Sequence, residues 1–138
     1  MRNAFKYLTS VIFVAVVVQV ALAGYGAFNA VSKADDGKAT KHAVDHGFSA
    51  HAALGTIILV VMLALVVVAA VGRLGSPWLK WSGGLFLLGI LQLLLAGLGD
   101  AVPSLGFLHA VNALVIYAVV GLLAHRAWTQ RPQAPLAT

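Results

Sequence analysis

Four long apolar segments, separated by short stretches with charged or turn-forming residues, dominate the chain. Each approaches the roughly 20 residues that a helix needs to cross a hydrocarbon core about 30 Å thick. The third segment is short by itself, and Leu79 and Trp81 extend it at one end. The pattern predicts an all-α, up-down-up-down bundle of four transmembrane helices in one membrane domain, residues 1–138. The predicted helices are about 7–28, 48–71, 81–99 and 105–124, with an outer loop at 29–47.

The composition supports a membrane protein and excludes several chemistries. Apolar residues make up 61% of the chain and charged residues 9%, against about 45–50% and 25% in soluble domains. The formal charge is +5, but the basic residues lie between apolar segments, so a nucleic-acid partner is not expected. The chain has no cysteine, which excludes disulfides, thiolate metal sites, iron–sulfur clusters and thioether-attached haem.

The basic residues outside the spans predict the orientation. Six of them flank the side that carries both termini and three lie in the first loop, so the positive-inside rule places both termini in the cytoplasm. We therefore expect a multi-pass protein of a bacterial plasma membrane. The six are Arg2, Lys6, Arg73, Lys80, Arg126 and Arg131, and the three are Lys33, Lys38 and Lys41.

The first segment has a second interpretation. Its charged start, its apolar run and the small-residue pattern Ala21–Ala23 are also features of a cleaved secretory signal. The segment contains a motif that recurs in the third segment, which favours a retained helix.

That motif reveals an internal repeat. Gln19–Gly26 and Gln92–Gly99 share the pattern Gln-x-x-x-Ala-Gly-x-Gly, and the following segments open alike with Gly47–His51 and Gly106–His109. The chain therefore consists of two parallel-repeat hairpins related by an axis along the membrane normal. Each hairpin supplies one glutamine and one histidine.

The small and amide residues of the repeat favour helix packing. Small side chains let helices approach closely in lipid, and glutamine can form hydrogen bonds across an interface. For Gln19 and Gln92 this interpretation is favoured, with the lining of a pocket as the alternative. The glycines expected to pack are Gly24, Gly26, Gly97 and Gly99.

Two histidines lie within the spans at matching depth. Ionisable residues inside a membrane usually face the bundle interior, and His51 and His109 lie on helices that are diagonal neighbours in such a bundle. A small residue, Gly55 or Ala113, follows each of them by one turn. This arrangement predicts one haem b per chain, with His51 and His109 as its axial ligands and with Gly55, Ala113, Gln19 and Gln92 around it. The alternative is a pair of interior histidines that are hydrogen-bonded to a carbonyl or to glutamine.

The remaining histidines give weaker signals. His42 and His46 stand four residues apart with Asp45 between them and could hold a divalent ion on a helix, but two ligands do not close a site. They fall in the predicted outer loop. His125 follows the last span beside Arg126 and is expected to lie in the solvated interface.

These residues resemble half of a haem A synthase. That family has two four-helix halves, each built to hold a haem between a histidine of its second helix and a histidine of its fourth. The stretch from Leu91 through His109 to Ala113 is similar to the family's third and fourth helices, and His51–Gly55 to the start of its second. The chain also resembles an uncharacterised group of small four-helix prokaryotic membrane proteins with the same glutamine and histidine positions. The resemblance implies a haem held by His51 and His109.

The departures from the synthase family bear on activity. Phe48 stands where the synthase has its catalytic glutamate, and the chain contains no glutamate and no cysteine pair. Oxidation of a haem methyl group is therefore not expected, and no catalytic activity of its own is predicted.

The resulting hypothesis is a small membrane b-type cytochrome that binds one haem near the outer leaflet, for electron transfer or haem holding. Its expected partners are the lipid bilayer and a redox partner or larger membrane complex. The alternatives are a non-catalytic accessory subunit of such a complex and a small-molecule carrier with Gln19 and Gln92 at a polar midplane site.

Overall fold

The computed structural model describes residues 1–35, 37–99 and 101–130, and these form four helices with no strand. Each helix has 24 to 31 residues and is apolar enough to cross a membrane. At about 1.5 Å per residue even the shortest exceeds a hydrocarbon core about 30 Å thick. The prediction of an all-α membrane protein with four spans is confirmed. The helices are α1 (Arg2–Ser32), α2 (Lys41–Val71), α3 (Ser76–Gly99) and α4 (Pro103–Thr129).

The first loop is shorter than predicted. The prediction placed it at 29–47, whereas α1 continues to Ser32 and α2 begins at Lys41. The hydroxyl of Thr40 accepts a hydrogen bond from the Ala43 N–H and caps α2, and Lys41 pairs with Asp45 one turn on. These local interactions extend the helix beyond its apolar part, which hydropathy alone does not reveal.

The four helices form a square bundle. Within the described ranges, α1 packs against α2 and α4, α3 packs against the same two, and the diagonal pairs make no backbone contact. This confirms the prediction that α2 and α4 face each other across a diagonal. One end of the bundle carries Arg2, Arg73 and Arg126, and we call it the basic end. Arg131, which contributed to the orientation prediction, lies outside the described residues.

The apolar core fills the half of the bundle nearer the basic end. Its buried positions recur at alternating intervals of four and three residues on every helix, which is the spacing of left-handed coiled-coil packing. Two buried hydroxyls, of Thr9 and Ser82, donate to backbone carbonyls of their own helices. The positions are 5, 9, 12 and 16 of α1, 58, 62, 65 and 69 of α2, 82, 85 and 89 of α3, and 116, 120, 123 and 127 of α4.

The outer faces of the helices are apolar as well. Val60, Leu87 and Leu114 each leave more than half of their surface exposed, and many other large apolar side chains do the same. A continuous apolar exterior of this kind requires lipid around it. The chain is therefore a multi-pass membrane protein in contact with the bilayer.

Candidate functional site

The two hairpins are each closed by a glycine pair. A Cβ on Gly47 would lie 2.7 Å from the carbonyl oxygen of Gly26, and a Cβ on Gly99 would lie 3.0 Å from the Cα of Gly106. The backbones of α1 and α2, and those of α3 and α4, touch at these points. The packing prediction is confirmed for Gly26 and Gly99, and the pairing occurs at equivalent positions of the repeat.

The other two glycines of the motif have a different environment. A Cβ on Gly24 or Gly97 would meet no atom within 4 Å, and both residues are exposed. The prediction that they pack helices together within the chain is wrong. They lie two residues before Gly26 and Gly99, which rotates them by about 200° around the helix, away from the partner helix.

In the first hairpin, Gln19 and His51 bond to each other's backbone. The side-chain amide of Gln19 donates to the His51 carbonyl at 2.7 Å, and Nδ1 of His51 lies 3.0 Å from the Gln19 carbonyl oxygen. A carbonyl only accepts, so Nδ1 carries a proton and, in the neutral imidazole, Nε2 is the acceptor. Within the described part of the chain, Nε2 of His51 has no hydrogen-bond partner.

The second hairpin repeats the histidine contact. Nδ1 of His109 lies 3.0 Å from the Gln92 carbonyl oxygen, so it also carries the proton and leaves Nε2 as the acceptor. Here the Gln92 side-chain amide donates to that Nε2 at 3.1 Å. The two histidines therefore share one tautomer, and they differ in whether the second ring nitrogen is engaged.

Asn112 contributes to the site although it was not among the predicted site residues. It is 7% exposed, and its side-chain amide donates to Oε1 of Gln92 at 2.7 Å and to the Leu88 carbonyl at 3.0 Å. These bonds orient the Gln92 amide with its NH₂ group toward His109. The available signal was an asparagine inside an otherwise apolar span, where amides commonly bond between helices.

The first hairpin lacks this support. The residue three positions after His51 is Leu54, whereas Asn112 stands three positions after His109. Oε1 of Gln19 is buried and has no hydrogen-bond partner among the described residues. The repeat is thus symmetric in its histidines and asymmetric in the amides around them.

Gly55 lies against the side chain of Gln19. Gly55 and Ala113 are both predicted to lie beside the haem, one turn after each histidine. The space beside Gly55 is taken by the Gln19 side chain, because a Cβ on Gly55 would lie 2.9 Å from Nε2 of Gln19. The glycine therefore allows Gln19 to reach the His51 carbonyl. Ala113 is half-buried at the corresponding position of α4.

The two histidines meet across the diagonal of the bundle. Their ring centroids are 6.2 Å apart and the ring planes are inclined at 58°. Phe48 lies edge-on to His51 with ring centroids 6.0 Å apart. Its ring also covers Gly26, where an added Cβ would lie 2.9 Å from it. The site therefore brings together His51, His109, Gln19 and Gln92 as predicted, with Asn112 in addition.

The remaining histidines lie elsewhere. His42 and His46 are on the exposed first turns of α2, with ring centroids 6.4 Å apart, and not in a loop as predicted. His125 is exposed near the end of α4. Within residues 1–35, 37–99 and 101–130, no three histidine, cysteine or acidic side chains cluster as a metal site would require.

Residues 19–100, more than half of the chain, match the model of the DUF6220 family, a family of unknown function. The chain belongs to this family. The match includes Gln19, His51 and Gln92, and it ends before His109. No curated protein and no solved structure gave a significant match to the chain.

Proposed function

We propose that this member of the DUF6220 family is a small membrane b-type cytochrome that binds one haem b between His51 and His109. The observation that supports it most is the shared tautomer. Both Nδ1 atoms donate to glutamine carbonyls, so both Nε2 atoms have lone pairs directed away from those bonds. Ligating histidines are usually held in this way, with one ring nitrogen bonded to a carbonyl and the other to the metal.

The separation of the rings is a second support. Two metal–imidazole bonds of about 2 Å, together with two ring radii of about 1 Å, require ring centres about 6 Å apart. The observed separation of 6.2 Å is of this size. The spacing is therefore compatible with a metal ion between the two imidazoles.

Ligation at His109 requires one side chain to move. The Gln92 amide donates to the nitrogen that would bond the iron, so Gln92 has to rotate away and line the pocket beside Gln19. The movement breaks one bond to His109 and one to Asn112, each worth about 1 kcal/mol net. His51 needs no comparable change, and we expect it to be the first ligand to engage.

A bound haem would supply a one-electron redox couple. His51 and His109 would hold it in the half of the bundle away from the basic end, because the other half is filled by the apolar core. One haem near one surface does not by itself carry electrons across a bilayer. The proposed role is electron exchange or haem holding at that surface, with a redox protein or a larger membrane complex as partner. On the orientation prediction, this is the outer surface of a bacterial plasma membrane.

The test is spectroscopic. The protein, purified in detergent from cells with ample haem, should show a Soret band and sharp reduced α and β bands at one haem per chain. His51→Ala and His109→Ala should each abolish the low-spin bis-histidine spectrum. His46→Ala and His125→Ala are matched controls that remove exposed histidines and should leave the spectrum unchanged.

Two outcomes would overturn the proposal. One is a folded protein that neither contains haem nor takes it up on titration with haemin. The other is a haem spectrum that persists in both His51→Ala and His109→Ala. Either would favour the non-catalytic accessory subunit, in which the two glutamine–histidine pairs serve only to hold the hairpins together.

A further inference from the structure

A groove at the basic end, remote from the histidines, provides a second candidate site. It consists of two adjoining cavities of about 160 and 450 Å³, formed by described residues of α1, α3, α4 and the turn between α2 and α3. The larger one is within the range of about 300–1,000 Å³ typical of small-molecule sites. The residues common to both cavities are Arg2, Leu74, Trp78 and Gln130.

The described residues supply no counter-charge to the basic side chains of this groove. Arg2, Lys6 and Arg126 line it, and among the described residues no carboxylate forms an ion pair with any of them. The sequence has only four acidic residues, and the two that the structure describes, Asp35 and Asp45, lie at the other end of the bundle. Like charges held close together repel each other, and an anion in the groove would relieve that repulsion.

The arginine side chains have free donors. In the described part of the chain, neither Arg2 nor Arg126 forms a side-chain hydrogen bond to protein. The Arg126 guanidinium carbon lies 5.4 Å from the centre of the Trp81 ring, an attraction that positions the group without using its N–H donors. Planar guanidinium groups with free donors are suited to bidentate contacts with phosphate.

The position of the groove indicates the source of the phosphate. The larger cavity is lined in part by Pro77 and Trp81 of α3 and Leu123 of α4, which give it an apolar wall. Trp81 is 42% exposed at this level, and tryptophan is enriched where a membrane helix meets the lipid headgroups. A phospholipid can place its phosphate among the arginines and its chains along this wall, whereas a free ion would leave the wall unused.

We infer that the groove binds the headgroup of an anionic phospholipid, with Arg2 and Arg126 holding the phosphate and Trp81 and Leu123 contacting the adjoining acyl region. Basic pockets between transmembrane helices are a known means of binding anionic headgroups. This inference goes beyond the proposed haem function and depends on different residues.

Native mass spectrometry of the full-length protein in detergent tests the inference, with phosphatidylglycerol and phosphatidylcholine titrated in parallel. We expect one phosphatidylglycerol to bind per chain in preference to phosphatidylcholine. The Arg2→Gln/Arg126→Gln variant should bind phosphatidylglycerol at least about tenfold more weakly. The control Arg73→Gln/Lys80→Gln removes the same charge from the same end, outside the groove, and should bind like the wild type.

Several results would overturn the inference. Equal losses in the two double variants would indicate diffuse surface attraction, and unchanged binding in both would exclude the groove. Displacement by millimolar inorganic phosphate, without a preference between the lipids, would identify a free phosphate site instead.

If the double variant fails to fold, Arg2→Gln alone replaces it, because Arg2 makes no ion pair or side-chain hydrogen bond with the described residues. The haem spectrum should be the same in all these variants, so the two proposals fail independently.

Discussion

Asn112 on α4 donates its side-chain amide to Oε1 of Gln92 on α3 at 2.7 Å, and this bond distinguishes the second hairpin from the first. The same amide also donates to the Leu88 carbonyl. Together these bonds direct the NH₂ group of Gln92 to His109. In the first hairpin, Leu54 occupies the equivalent position and Oε1 of Gln19 is without a partner among the described residues.

We expect Asn112→Leu to destabilise the haem-free protein. The substitution leaves Oε1 of Gln92 without its donor, at a cost of about 1 kcal/mol in a membrane bundle. Unfolding in mixed micelles with increasing SDS measures the change. Asn29→Leu is the control, because Asn29 has only a long 3.4 Å contact with Tyr25 and a buried oxygen with no partner in the described chain. An equal loss in both variants would contradict the role given to Asn112.

The same substitution should have the opposite effect on haem binding. Without Asn112, the Gln92 amide is held only by His109 and moves away from Nε2 more easily. We expect Asn112→Leu to lower the haem dissociation constant about fivefold, the equivalent of one hydrogen bond of about 1 kcal/mol. Haemin titration followed at the Soret band measures it. A weaker affinity would mean that Asn112 supports the bound pocket.

Two glycines of the first hairpin, Gly47 and Gly24, should respond to alanine in opposite ways. Gly47→Ala places a Cβ 2.7 Å from the carbonyl oxygen of Gly26, a backbone atom that cannot move alone. The hairpin must open, which typically costs about 1–3 kcal/mol. Gly24→Ala enters open space and should stabilise α1 by up to about 1 kcal/mol, since alanine favours helices. Unfolding in SDS compares the two, and similar midpoints would refute the proposed helix contact.

Larger side chains at Gly55 should prevent haem binding without unfolding the protein. Gly55→Ala displaces the flexible end of the Gln19 side chain. The hydrogen bond that is lost, worth about 1 kcal/mol, is offset in the free energy of unfolding by a similar gain in helix propensity. Gly55→Leu should retain the fold and abolish the Soret band, because in the proposed site the edge of the haem passes beside Gly55, one turn on from His51. Gly84→Leu, at an open position of α3, is the control. A normal spectrum in Gly55→Leu would move the haem away from this position.

The absence of cysteine makes the orientation directly testable. Lys38→Cys introduces a single thiol in the first loop, and Ser76→Cys introduces one at the start of α3. If the termini are cytoplasmic, a membrane-impermeant maleimide should label Lys38→Cys in intact cells and Ser76→Cys only after permeabilisation. The wild type has no thiol and should remain unlabelled. The reverse pattern would place the histidines near the cytoplasmic surface.

Hydropathy determined the number and approximate positions of the spans, because only long apolar helices satisfy their backbone groups in lipid. The helix ends beyond the lipid were predicted less well. Local interactions set them, such as the Thr40 cap and the Lys41–Asp45 pair at the start of α2. The repeat led to both histidines and both glutamines, since polar side chains in apolar spans stand out in the sequence.

The sequence could not reveal which face of each helix is buried. In a soluble helix the polar face marks the solvent side, but lipid is as apolar as leucine, and Val16 in the core and Val17 on the outside are the same residue type. The spacing of four and three residues in the core becomes visible only once the helices are packed. Likewise, Gly24 and Gly26 belong to one motif, and only the crossing of α1 and α2 decides that one is buried and the other exposed.

The tertiary structure also decided the chemistry of the site. From the sequence, His51 and His109 were two histidines at matching depth, and their protonation was open. Packing places a glutamine carbonyl 3.0 Å from Nδ1 of each, and since a carbonyl only accepts, that contact decides the tautomer of the neutral ring and leaves Nε2 as its acceptor. The sequence by itself determined that the chain spans a membrane and which polar side chains enter it. Only the packing of the helices decided how those side chains face each other. The hydrogen bonds between α1 and α2, and between α3 and α4, depend on how each helix is rotated about its axis, and a uniformly apolar sequence does not encode that rotation.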